Sequence, residues 1–159
     1  MKKLFTICLL LATTFTVSAQ QKPTKEETVA FMKRTLESAI GSRAPFIALK
    51  EVSFSENSYS TRIIFHDGRN GDMETSSIKW ESLIPDQITI RKLRECTEVE
   101  VSFRYPAKVT KSIGGEKTSD ESLSKISFYV PNDKAESFKK ACLRLAEIAK
   151  EENKDPFQN

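Results

Sequence analysis

The chain has 159 residues, 38% hydrophobic and 30% charged, with 25 Lys and Arg against 22 Asp and Glu. That length supports one domain with a real core and is too short for two comfortable ones. The formal charge of +3 lacks the concentrated basic field of a nucleic-acid binder, and three cysteines with one histidine give no spaced zinc-ligand set.

The first residues have the layout of a secretory signal. Lys2 and Lys3 give a positive start, Leu4 to Ala12 form an apolar run broken by Thr6, and Val17-Ser18-Ala19 offers small residues before Gln20. The run is shorter than the roughly 20 residues that span a bilayer. The expectation is a cleaved leader over 1–19, export to the periplasm or the exterior, one domain over 20–159, and no transmembrane segment after cleavage. Loss of Lys2 and Lys3 leaves 23 basic and 22 acidic side chains, a net charge of +1. Cys96 and Cys142 also remain. In an oxidising compartment they can pair; the alternative is two small core residues.

Residues 20–23 read as a short leader to the domain. Thr24 and Glu27 have capping-box spacing, and Val29, Met32, Leu36, Ala39 and Ile40 form one apolar stripe ending at Gly41, a natural cap. Phe31 lies off that stripe, where it can meet a second surface. From Ala44 to Pro131 the helical period gives way to short β-rich runs. Strands are expected near Ile47–Phe54, Ser58–His66, Met73–Lys79, Gln87–Arg94, Glu98–Tyr105, Ala107–Ile113 and Leu123–Val130. Val99, Val101 and Phe103 alternate with Glu98, Glu100, Ser102 and Arg104, the pattern of an antiparallel strand with one wet face. Pro106 marks a bend or an edge. His66 to Asp72 reads as a hairpin tip, Trp80 to Asp86 as a 3₁₀ turn or strand crossing, and Gly114 to Ser122 as a longer flexible loop. A last helix, capped by Asn132 or Asp133, runs to about Glu152. Phe138, Ala141, Cys142, Leu145, Ile148 and Ala149 share its inner face, and Glu136 and Lys140 have favourable i,i+4 spacing. Asp155-Pro156 stops it, and Phe157 is free to fold back.

The architecture that follows is α+β: a strongly bent antiparallel sheet or small open barrel of about seven strands, between an N-terminal helix and a C-terminal amphipathic helix. Short antiparallel strands followed by P-N-D-K-A-E-S-F-K-K-A-C-L-R-L-A-E-I-A-K and K-D-P-F resemble small uncharacterised exported bacterial proteins of the pleckstrin-homology-like (PH-like) fold, over roughly residues 46–157. The resemblance implies binding of peptides, lipids or protein surfaces. A cystatin-like layout is the alternative, with a better account of the first helix and a poorer one of the last.

No catalytic motif stands out, and no cofactor is expected. His66 would need a pocket and an orienting partner for acid–base work; adjacent Asp67 points the other way on a strand. Asp67, Asn70 and Asp72 miss the spacing of a calcium loop and read as turn residues. Lys79, Arg91, Lys92 and Arg94 could form an anion-binding rim, or the solvated side of an edge strand. Trp80 reads as a core anchor. The functional expectation is a non-catalytic binding module of the bacterial envelope, its partner an unknown protein, peptide or lipid; a small hydrolase or lyase using His66 and a structural accessory subunit are the alternatives.

Overall fold

The computed structural model describes residues 22–44 and 47–154. The leader over 1–19 and Asp155, Pro156 and Phe157 lie outside the described residues. Helix α1 (Lys25–Glu37) leads into strands β1 (Arg43–Ala44), β2 (Ile47–Phe54), β3 (Ser58–Phe65) and β4 (Asn70–Ser76). Two 3₁₀ turns, Trp80–Ser82 and Pro85–Gln87, precede β5 (Thr89–Lys92), β6 (Cys96–Ile113), β7 (Glu116–Pro131) and helix α2 (Ala135–Glu152).

The strands form one antiparallel sheet in the order β1-β2-β3-β4-β6-β5, with β7 on the other edge of β6. The sheet has seven strands, but they are drawn differently from those expected. The runs 98–105 and 107–113 are one strand. Pro106 bends β6 without ending it, because the register against β7 shifts between Ser102 and Ala107 and removes the need for its missing N–H. That length lets β6 use one edge twice: Thr97–Glu100 pairs with β5, and Lys108–Ile113 pairs with β4.

The loop expected at 114–122 is a two-residue turn. Gly114 (φ 61°) and Gly115 (φ 88°) both take the left-handed backbone of a tight hairpin, so the polar stretch from Glu116 continues as strand. Its polarity is used across the hairpin, where Thr110 donates to Asp120 (3.0 Å) and Lys111 contacts Glu121 (3.3 Å). Strand β4 begins three residues earlier than expected. Only His66–Arg69 turn, with Asp67 accepting from the Arg69 N–H (3.0 Å) and side chain (2.7 Å). The strand ends before Ser77, whose φ of 61° breaks extended geometry.

The capping box at Thr24 and Glu27 is present: each side chain accepts from the other's backbone N–H. Ile40 departs from the predicted stripe and is 46% exposed. The chain tightens after Glu37 into i→i+3 bonds, Ala39 to Leu36 and Ile40 to Glu37, which rotate Ile40 off the apolar face. Neither Asn132 nor Asp133 caps α2. Lys134 holds the cap position without a side-chain bond, and the Asn132 amide oxygen accepts from Thr97 (2.7 Å) instead. All six residues assigned to the inner face of α2 are buried. The wet face of β6 is lost at its start, where Glu98 and Ser102 are buried as well.

An aromatic cluster forms the core. Phe128 of β7 contacts Tyr59 (4.7 Å between centroids), Phe138 (5.5 Å), Phe54 (6.3 Å) and Trp80 (6.4 Å). Trp80 is 1% exposed, as its core reading required, and its indole N–H donates to the Glu56 carbonyl (2.6 Å). Truncation of Phe128 to Ala should therefore cost about 3–5 kcal/mol, read as a lower urea midpoint at unchanged slope. A cost below about 1 kcal/mol would show that these rings do not organise the core.

Candidate functional site

Helix α1 starts beside the last turns of α2. Lys25 bonds Glu56 (2.6 Å) and Glu152 (2.8 Å), Lys22 bonds Glu147 (3.3 Å), and the Arg144 Nε donates to the Pro23 carbonyl (2.9 Å). These ties hold the helices side by side. Their inner faces go to the core, and the outer seam is a groove of about 820 Å³. Phe31, Ala141 and Leu143 supply its apolar floor, and Phe31 is there because it sits off the core-facing stripe of α1.

The rim carries charge that is unevenly compensated. Glu147 is met by both Lys22 and Arg144 (3.2 Å), which hold its carboxyl below the usual range, Arg144 being the larger influence. Glu27 is occupied with the Thr24 N–H (2.9 Å). Arg34 and Lys140 form no ion pair among the described residues, and the i,i+4 pair with Glu136 is not made. The volume falls within the range of small-molecule sites, which are mostly apolar with a few polar groups.

A second hollow of about 230 Å³ lies on the sheet, lined by Ile63, Met73, Thr75, Val109, Leu123 and Tyr129 among others. The Thr75 hydroxyl is buried there without a hydrogen-bond partner, as is that of its cross-strand neighbour Tyr59 in the core. The Tyr59 hydroxyl is close enough to the Tyr129 backbone to feel it, but not in bonding geometry.

The residues singled out from sequence are scattered. Lys79 lies over the Tyr105 ring (5.4 Å), seven positions along β6 from Glu98. Arg91 is spent on Glu98 (2.7 Å), the carboxylate raising its pKa. Lys92 and Arg94 are exposed at the end of β5 and the turn after it. The four do not converge on one rim. His66 is exposed on the β3–β4 turn and lines none of the hollows described here. Asp67 is engaged with Arg69 and Asp72 with Arg62 (2.6 Å), so they do not converge on a cation. No cluster of three or more metal-ligating side chains occurs among the described residues. Among those residues, no helix is long and apolar enough to cross a membrane. Cys96 and Cys142 are buried free thiols. The sequence reading missed Arg34, Lys140 and Leu143 as a group, because they come together only when α1 lies on α2. The chain matches no protein-family model, no curated protein and no solved structure.

Two measurements follow from these environments. Burial raises the pKa of both thiols, Cys142 most, so neither should react with a disulfide reagent in the native state. Denaturation without reductant should make both Cys96 and Cys142 reactive; failure of both to react would mean that they are bridged. Burial also holds the Tyr59 phenol above its ordinary value of 10.0. Its neutral form therefore supports folding fully below about pH 10, and that support is lost as pH rises through the folded-state value. Tyr59→Phe should flatten the alkaline loss of stability. Part of the slope will remain, since Glu152 and then Glu56 hold Lys25 up to about 12. At pH 7 the variant should be unchanged or more stable by up to about 1 kcal/mol, because it removes a buried hydroxyl without a partner. A loss of more than that would mean that the hydroxyl is bonded.

Proposed function

We propose that this chain is an exported, non-catalytic binding module of the bacterial envelope, with PH-like architecture, and that the α1–α2 groove is its contact surface. The groove carries the reading. It joins an apolar floor to two cations, Arg34 and Lys140, that form no ion pair among the described residues, at a volume suited to a ligand. The signal-like pattern of residues 1–19 supports export. The order of antiparallel strands followed by a closing amphipathic helix supports the PH-like assignment. That shape alone does not select a ligand. His66, on which the hydrolase or lyase reading rests, stands exposed on the β3–β4 turn, outside the groove.

The test is comparative capture from the envelope of the host organism, with bound proteins and lipids identified by mass spectrometry. Phe31→Ala with Leu143→Ala should lower recovery of the bound species by about tenfold. Glu51→Ala, on the sheet away from the groove, should leave it unchanged, and melting curves should confirm that all three proteins are folded. Capture indifferent to the groove substitutions, or no captured species at all, would overturn the reading.

A further inference from the structure

The groove narrows the ligand class, in an inference that rests on the binding reading above. We infer that it takes a single-chain anionic amphiphile, with its tail on the floor and a carboxylate-like head between Arg34 and Lys140. The ten helical steps from Ser137 to Glu147 span roughly 15 Å, which sets a tail of roughly ten to twelve carbons.

The charge inventory gives the head its sign. Six charged side chains line the groove: Lys22, Glu27, Arg34, Lys140, Arg144 and Glu147. Lys22 and Arg144 share the Glu147 carboxylate, and Arg144 also holds the Pro23 carbonyl. Glu27 is committed to the start of its own helix. Among the described residues the uncommitted pair, Arg34 and Lys140, is cationic. Because α1 begins beside the end of α2, Arg34 falls toward the Ser137–Lys140 end of the groove and not toward Glu147. A cationic head would meet repulsion there, and an uncharged one would leave both cations to water. An anion gains charge-assisted bonds from an arginine fork and a lysine point charge.

Two other classes of partner fit less well. A bilayer is met by a protruding apolar face flanked by concentrated basic charge. Here the face is concave, and both signs of charge alternate along α1 and α2. A stable protein partner requires on the order of 1,000 Å² or more of buried surface around central anchors. This groove offers Phe31, Ala141 and Leu143.

The experiment is calorimetric titration of the purified protein with dodecanoate, dodecanol and dodecyltrimethylammonium, each below its micelle concentration, and with vesicles of anionic phospholipid. Dodecanoate should bind saturably at one site, about tenfold tighter than dodecanol and tighter still than the cation. Arg34→Glu with Lys140→Glu, both exposed and therefore tolerated by the fold, should weaken dodecanoate by about tenfold or more and change dodecanol by less than about twofold. Equal binding of the three heads, an unaltered dodecanoate affinity in the charge-reversed protein, or binding to vesicles without binding of dodecanoate would each overturn the inference. If dodecanoate fails while envelope capture still depends on Phe31 and Leu143, the ligand class is wrong and the binding reading stands. If both fail, the groove is not a site.

Discussion

The ring of Phe128 sits where the hydrogen bonding of the sheet runs out. Among the described residues β7 pairs only with β6, and β2 pairs with β3 and, at one end, with β1. No backbone ladder among those residues closes the gap between the two strands. Phe128 from β7 and Phe54 from β2 meet across it, with Tyr59 and Trp80 around them. Closure is thus made by aromatic burial, which is strong but weakly directional, in place of hydrogen bonds that would fix a register. Helix α1 lies against both strands at the gap, and α2 reaches the same cluster through Phe138. The placement of both helices, and hence of the groove between them, follows from that one cluster.

Much of this was legible in the chain, for reasons that differ by element. The two helices announce themselves because an apolar stripe repeats with the helical period and because Thr24 and Glu27 cap reciprocally. Strands β2 and β3 were readable to within a residue because one face alternates. The failures share a cause: polar residues read as loop when a partner strand had a use for them. Glu116 to Ser122 looks like solvent-exposed loop until Thr110 and Lys111 are placed opposite Asp120 and Glu121. Two adjacent glycines were the available signal, since a left-handed pair is what a two-residue hairpin demands. Asn132 was read as a cap because its bond to Thr97, 35 positions away, has no local trace.

The groove was less legible still. Phe31 was readable as an outlier from its stripe, but no local pattern links it to Leu143 across more than a hundred residues. Whether a charge is available depends on neighbours that only the fold supplies. Arg91 in a basic run looks free and is engaged by Glu98, whereas Lys140 looks paired with Glu136 and is not. Sequence proximity and electrostatic proximity are therefore different maps of this molecule, and the groove is drawn on the second.

The ties between the two helices have a consequence for the order of events during synthesis. Lys22, Pro23 and Lys25 find their partners at Glu147, Arg144 and Glu152, near the far end of the chain. The β6–β7 hairpin closes through a two-residue turn and needs nothing distant, so it can form as soon as it emerges. The first helix must wait for the last. Until α2 is made, Met32 and Leu36 cannot be fully enclosed and the domain cannot lock. An ordinary cytosolic protein would bear this as an aggregation hazard. For a chain whose leading segment directs it through a membrane pore, as we propose here, a domain that locks only once α2 is in place keeps the polypeptide threadable for as long as threading is required.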